Sequence, residues 1–305
     1  MTDLRSAETD LAVARRMPSG LRSYLFAPGN HPRKVEKVFA AGADAVLLDL
    51  EDAVPPAEKA LTRAAVVAAM RAPRAARGYV RVNGIDTAWC ADDVAAIVGP
   101  WLDGLVLPKA ESAAQIREIS ASMAVAERAA GMREGALELM AIVETARGIE
   151  FAKEIAAADP RLVRLAFGGG DYTNDLDLEW TIEERELDYA RARLTHASRL
   201  ANLEPPVDTV VIAVKDIERF RVSAHNGRRM GLYGKLCIHP DQVSPCNEVF
   251  TPDAAQLAQA RAVVEAFEKA EATGSASIQV NGQFVDYPIV FKARRILAAA
   301  ARGAG

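Results

Sequence analysis

Charged side chains sit where the short apolar runs of this chain stop, and their types are those that hold metal ions and move protons. The runs ending Leu-Leu-Asp49-Leu-Glu51-Asp52, Val-Arg81-Val-Asn83, Leu-Pro108-Lys109, Ile-Val-Glu144-Thr145, Phe-Gly168-Gly169-Gly170-Asp171 and Cys-Ile-His239-Pro240 all share this form. Glu144 and Asp171 close consecutive runs, so their carboxylates are expected side by side. Two carboxylates with room for water and a chelating ligand suit Mg²⁺, which takes hard oxygen ligands in octahedral geometry. Taken singly, Glu144 could cap a helix and Asp171 support a turn. Arg81 would point into the same acidic mouth, where a guanidinium can pair with a carboxylate and steady a developing enolate oxygen, or merely neutralise its neighbours.

Among Asp49, Glu51 and Asp52, one or two are expected to hold metal-bound waters and the rest to orient Arg81 or a lysine. Lys109 is expected to pair with a carboxylate rather than form a Schiff base. His239 reads as structural more readily than catalytic. The Gly168–Gly170 run permits close backbone approach but matches no phosphate or dinucleotide loop. Arg22, Arg33, Lys34 and Lys37 make either a solvated basic face or a site for the phosphates of a nucleotide-like handle. Arg22, Lys34, Asn83, Pro108, Gly169 and Gly170 are the residues expected to line the substrate pocket.

Such groups must be positioned by strands that converge. Eight short apolar runs read as strands: Leu21–Ala27, Ala45–Leu48, Tyr79–Val82, Gly104–Leu107, Leu139–Val143, Leu162–Phe167, Val207–Ile212 and Lys235–Ile238. Helical spacing occupies Arg33–Ala41, Ala57–Met70, Ser112–Ala130, Arg185–Ala201 and Ile217–Met230. Strict alternation implies parallel strands. A doubly wound open sheet competes, but eight runs with chemistry at their C-terminal ends favour an α/β fold of the (β/α)8 TIM-barrel type, whose active sites occupy that face. Residues 1–20 read as a flexible extension, 21–245 as the barrel and 246–305 as a helix–hairpin–helix appendage. The hairpin is centred on Asn281-Gly282, and the last helix runs from Ile289 to about Ala301.

The 305 residues carry a net charge of −4, which supplies no reason to expect nucleic acid or a membrane surface as partner. No apolar stretch approaches the ~18 residues of a membrane span. The N-terminus lacks secretory features, and Cys90, Cys237 and Cys246 fit neither a CxxC motif nor a Cys/His ligand set. A cytoplasmic protein with bland thiols is expected.

The motifs Arg22-Ser-Tyr-Leu-Phe-Ala-Pro-Gly29, Leu48-Asp-Leu-Glu-Asp-Ala-Val54, Arg81-Val-Asn83, Leu107-Pro-Lys109, Val143-Glu-Thr145, Phe167-Gly-Gly-Gly-Asp171 and Gly234-Lys-Leu-Cys-Ile-His-Pro240 resemble, in order, the citrate lyase β-subunit-like proteins of the HpcH/HpaI aldolase and citrate lyase family. The resemblance spans roughly residues 20–300. It implies a TIM barrel, a homotrimer or hexamer, Mg²⁺ on Glu144 and Asp171, and a CoA-thioester substrate that yields an oxo-acid. It also implies that Arg81 binds the oxo-acid and the enolate. Val285-Asp286-Tyr287-Pro288 is similar to a tail element of the malyl-CoA lyases, whose aspartate closes over the active site, often a neighbour's, as acid/base. Spacing alone makes Asp286 a turn residue. The implied reaction is retro-aldol cleavage of a 3-hydroxyacyl-CoA of the citryl- or malyl-CoA type, with Arg81, Asp286, Asp49 and Glu51 as the catalytic set. A malyl-CoA thioesterase or malate synthase-like enzyme, or a citrate lyase subunit acting on an acyl-carrier thioester, would use the same parts.

Overall fold

The computed structural model describes residues 18–302, so the first seventeen residues of the expected N-terminal extension lie outside it. Seven parallel strands follow one another around a curled sheet: β1 (Ser23–Pro28), β2 (Ala45–Asp49), β3 (Arg77–Arg81), β4 (Gly104–Leu107), β5 (Glu138–Val143), β6 (Leu162–Phe167) and β7 (Lys235–Cys237). Their order is β6-β5-β4-β3-β2-β1-β7. The ring closes where Val207 bridges Ala166 and Asp208 bridges Lys235, both parallel. This is the TIM barrel, with near-continuous apolar strands covered by helices on the outside.

The expected strand Val207–Ile212 is thus reduced to two bridging residues. Pro205 and Pro206 precede it and have no N–H to pair. Beyond Asp208 the side chain of Gln242 replaces the ladder, donating to the Val211 carbonyl (2.9 Å) and accepting the Ile238 N–H (2.9 Å). The seam is also held by buried ions. Asp208 accepts from Arg191 Nε (2.9 Å) and Lys235 Nζ (2.6 Å), while Glu184 accepts from Arg191 Nη2 (2.6 Å).

Period-two alternation sorts the strand side chains. Tyr24, Ala45, Leu47, Tyr79, Met140 and Ile142 pack inside the barrel, and Leu25, Val46, Leu48, Val80 and Ala141 pack outward against the helices. Carrying each inward series one step further reaches Asp49 from Leu47, Arg81 from Tyr79 and Glu144 from Ile142. Phasing along the strands, more than loop design, therefore gathers the charged groups at the mouth.

The opposite end of the barrel is plugged by Arg164, which donates to the Tyr79 hydroxyl (3.2 Å) and pairs with Glu204 (3.2 Å). Arg22 lies at this end as well. It precedes β1 and holds Asp44 through Nε (2.8 Å) and Nη2 (2.9 Å).

After the barrel, α11 (Ala254–Ala272), the hairpin β8 (Ile278–Val280) and β9 (Gln283–Val285), and α12 (Tyr287–Arg302) share an apolar cluster around Val263, Phe267, Val280, Val285 and Val290. (α1–α10 are Pro32–Phe39, Lys59–Arg71, Cys90–Ile97, Ala113–Ala129, Ala146–Glu150, Ala152–Ala156, Gly169–Asp175, Asp188–Leu200, Ile217–Arg229 and Val243–Phe250.) Asn281 (φ 50°) and Gly282 (φ 78°) both take the left-handed conformation that tight hairpin turns require. The last helix starts at Tyr287, two residues before the expected Ile289, because Pro288 in a first turn removes no helical hydrogen bond.

Candidate active site

Asp49 is the fixed point of the mouth. It accepts Arg81 Nε (2.8 Å) and Nη2 (2.7 Å) as a fork, and also the N–H groups of Glu51 (2.9 Å) and Ala53 (3.1 Å). Burial alone would raise its pKa, but Arg81 and the two N–H groups outweigh this and hold it below the usual carboxylate range. Burial equally opposes the Arg81 charge, and Asp49 and Glu51 more than restore it, so Arg81 stays cationic. Glu51 faces Arg81 Nη1 at 2.9 Å and accepts Lys109 Nζ at 2.5 Å. Its pKa is raised, with burial prevailing over those two cations.

The backbone of Lys109 is left-handed (φ 50°) and aims its N–H at Glu144 Oε1, 2.8 Å away. Burial would lower the pKa of the ammonium, but Glu51 and Asp52 lift it above its ordinary value. An amine held protonated in this way is no Schiff-base nucleophile.

Glu144 stands directly beyond β5 and is 3% exposed. The helix that follows is capped by Thr145, whose hydroxyl accepts the Gly148 N–H (3.0 Å), so Glu144 is free of that task. Asp171 lies in the first turn of α7 rather than at a strand end. Among the described residues nothing hydrogen-bonds or ion-pairs with its side chain. Burial first, and the charge of Asp171 second, push Glu144 well above the carboxylate range. Gly168 crowds the same carboxylate, since a Cβ there would lie 2.1 Å from Glu144 Oε2. Two carboxylates at one mouth, Glu144 resisting ionisation beside Asp171 and Asp171 without a hydrogen-bonding or ion-pairing partner among the described residues, form a donor set that a hard divalent cation relieves. Among the described residues no third acid, histidine or cysteine joins them. Mg²⁺ tolerates this, because it commonly keeps one or two carboxylates and fills its other positions with water and substrate.

A cavity of about 730 Å³ opens here, lined by Asp49, Arg81, Glu144 and Asp171, by Lys34, Gly168 and Gly170, and by residues that sequence reasoning did not select: Phe26, Ile142, Thr209, Val210 and Leu236. Thr209 accepts the Gly169 N–H (2.7 Å), tying the first turn of α7 to the closing segment. His239 also lines the cavity and caps the turn behind it, accepting the Asp241 N–H at Nδ1 (3.3 Å).

Several expected pocket residues lie elsewhere. Arg22 sits at the far end of the barrel, because its place before β1 is the opposite strand end. Asn83 is buried and fully engaged, donating to Asp93 (2.6 Å) and Leu50 (2.9 Å) and accepting Lys59 Nζ (2.6 Å). Pro108 is buried in the turn out of β4, away from the cavity lining, and Gly169 is absent from that lining with its N–H already taken. Asp286 lies on the appendage, outside the lining of this chain's own cavity, its carbonyl accepting the Val290 N–H (3.0 Å). Lys59, which ties the Leu50 and Glu51 carbonyls to Asn83, went unnoticed because a lysine in a helical run reads as solvated.

Residues 22–240 match the family model of the HpcH/HpaI aldolase/citrate lyase family. The chain belongs to this family. It is an enzyme of the lyase class. It is 39% identical over 288 residues to a citrate lyase subunit beta-like protein of Deinococcus radiodurans, covering 92% of this chain and 98% of the relative. It is 34% identical over 298 residues to the L-malyl-CoA/beta-methylmalyl-CoA lyase of Cereibacter sphaeroides, covering 90% and 93%. Mycobacterium tuberculosis CitE, solved with magnesium, acetoacetate and coenzyme A, superposes with a TM-score of 0.77 at 30% identity, covering 93% of this chain and all of that one.

Proposed function

We propose that the protein is a Mg²⁺-dependent carbon–carbon lyase that cleaves a 3-hydroxyacyl-CoA to an acyl-CoA and an oxo-acid. The observation that carries this reading is the juxtaposition of the Glu144–Asp171 pair with an arginine clamped by Asp49 at one barrel mouth. Glu144 and Asp171 would hold the cation, which when bound acts as a Lewis acid toward the hydroxyl and carboxylate oxygens of the substrate. Asp49 fixes the plane of Arg81, which lines the cavity and would hold the oxygen of the enolate as the carbon–carbon bond breaks. Glu51 orients Arg81 and Lys109 together. Overall, the hydroxyl proton leaves, the hydroxyl carbon becomes the oxo carbon, and the α-carbon of the departing acyl-CoA gains a proton. Asp286 would deliver that proton from a second copy of the chain, since it does not line its own cavity. This reading implies a homotrimer or hexamer.

The M. tuberculosis and C. sphaeroides proteins support a CoA thioester as substrate, and Lys34 with Lys37 on the cavity rim suits its phosphates. The test is incubation of purified protein and Mg²⁺ with citryl-, malyl-, methylmalyl- and citramalyl-CoA, following oxo-acid and free thiol separately. Oxo-acid without thiol is expected. Thiol alone would replace the lyase with a thioesterase. Neither product, with cleavage of an acyl-carrier thioester instead, would make the chain a subunit like the citrate lyase β subunit of Leuconostoc mesenteroides, to which it is 36% identical over 278 residues.

A further inference from the structure

Building on the metal site of the lyase reading, we propose that Thr209 is a positioning residue for Asp171: it caps α7 from a distant part of the chain and so sets the second carboxylate against Glu144. The need for such a cap begins at Gly168. A helix leaves its first N–H groups unpaired, and a Ser, Thr, Asp or Asn just before it ordinarily takes one of them. α7 has Gly168 in that place and no side-chain cap of its own. No capping side chain fits there, because its Cβ would stand 2.1 Å from Glu144 Oε2 and 2.5 Å from Glu144 Cβ. The close approach of Glu144 therefore denies a cap to the very helix that carries Asp171.

Thr209 supplies one from elsewhere. Its side-chain oxygen accepts the Gly169 N–H at 2.7 Å, across 40 positions of sequence. Gly169 permits the approach, since a Cβ on it would lie 2.8 Å from that oxygen and 3.1 Å from Thr209 Cγ2. The hydroxyl is also held from behind. Thr209 is fully buried and follows Asp208, which Lys235 (2.6 Å) and Arg191 (2.9 Å) fix in place. The Val207 carbonyl accepts the Phe167 N–H and the Asp208 carbonyl accepts the Leu236 N–H, both at 2.9 Å, so this segment is stitched to β6 and β7. A helix of seven residues cannot hold itself. Beyond Asp171 it is steadied by Tyr172 packed on Phe167, with ring centroids 5.4 Å apart, and by Asp175, which accepts the Ala146 N–H at 2.7 Å. Within the first turn, the bond to Thr209 is the one hydrogen bond to another element among the described residues. The Asp171 side chain has no partner there, so the backbone of this turn decides where it stands.

The test reads metal affinity without any thioester, by titrating Mn²⁺ into metal-free protein and following the paramagnetic resonance of the free ion. Thr209→Val keeps the shape and removes the acceptor, whereas Thr209→Ser keeps the acceptor. Thr209→Val should weaken Mn²⁺ binding by about 10–100-fold and Thr209→Ser should stay within about threefold of wild type. Thermal midpoints in chelator report stability separately. Gly169→Ala presses on the same contact from the other side and should weaken the metal to a similar degree, which keeps the test open if Thr209→Val does not fold. A lower midpoint with wild-type metal affinity in Thr209→Val would reduce Thr209 to a support of the fold and overturn the inference. A loss in Thr209→Ser as large as in Thr209→Val would do the same, because the hydroxyl would not be its cause. Failure of the wild-type protein to bind the ion would overturn the metal site and the inference together. Weakened binding in Thr209→Val, alongside a wild type that releases no oxo-acid from any thioester, would support Thr209 and strike the lyase reading alone.

Discussion

Replacing Gly168 with alanine should disable metal binding by displacing Glu144. At φ −100° and ψ 80° the residue lies in a region open to L-amino acids, so alanine adds no torsional strain there. The added methyl would stand 2.1 Å from Glu144 Oε2, 2.5 Å from its Cβ and 3.0 Å from its Cδ, against ordinary contacts of 3.4–4 Å. The Glu144 carboxylate must therefore shift by about 1 Å, whereas metal–ligand distances tolerate about 0.2 Å. The shift also breaks the 2.8 Å bond from the Lys109 N–H that aims the carboxylate. Disturbing the groups that orient a ligand lowers affinity by about 10–100-fold, and moving the ligand itself should reach at least the upper figure, about 2.7 kcal/mol. Calorimetric titration with Mg²⁺ or Mn²⁺ reads this directly. Thermal midpoints read it again, because a metal at a hundred times its Kd adds about 2.7 kcal/mol to the wild-type protein and should add almost nothing to the variant. Gly170→Ala is the control, since its Cβ would meet only Trp180, at 3.8 Å. Wild-type metal affinity in Gly168→Ala would refute the placement of the cation at Glu144.

Arg81→Lys keeps the charge but loses the fork to Asp49. Turnover should drop by about a hundredfold or more while metal affinity stays within a few-fold, and equal losses in both would tie Arg81 to the metal instead. Because the Glu144 pKa is raised, the folded metal-free protein holds a proton that the unfolded chain gives up across the window above the usual carboxylate range. Metal-free stability should therefore fall as pH rises through that window, and metal affinity should rise over it. Urea melts in chelator across that range should show the decline in wild type and a flatter profile in Glu144→Gln. The Asp208 pKa is depressed by Lys235 and Arg191 against the opposing effect of burial. Its stabilisation is complete above the ordinary carboxylate pKa and is lost as pH falls through the lower folded value. Asp208→Asn, which leaves buried cations short of a partner, should cost about 3–5 kcal/mol in urea unfolding near neutral pH. A loss below 1 kcal/mol would show that the bridges at the barrel seam suffice without the ion network.

The barrel and the inward direction of Asp49, Arg81 and Glu144 were legible in the sequence, because both follow from local rules. Short apolar runs buried on two faces become parallel strands, and a period of two decides which residue points inward where the run stops. Lys109 pairing with carboxylates was legible for a related reason: a cation among acids at one strand-end level has near neighbours of opposite charge.

What the sequence left open depends on partners far away in the chain. Asn83 follows Arg81 by two residues and shares its phase, yet it is engaged by Asp93 and Lys59, and no spacing rule announces that contact. Arg22 belongs to a motif rich in pocket residues, but the strand that separates it from Pro28 carries it to the other end of the barrel. The expected strand Val207–Ile212 shrinks to two bridging residues because Gln242, thirty-one positions after Val211, supplies the hydrogen bonds that the backbone does not. Five helices of eight residues or fewer, Cys90–Ile97, Ala146–Glu150, Ala152–Ala156, Val243–Phe250 and Gly169–Asp175, went unread because so few turns give periodicity little to register. The last of these sets the position of Asp171, and the apolar walls beneath Glu144 were invisible for a similar reason, since Phe26, Ile142, Val210 and Leu236 are ordinary core residues in sequence. Local pattern chose the strands and the direction of each side chain, and only closure of the ring decided which of those side chains meet.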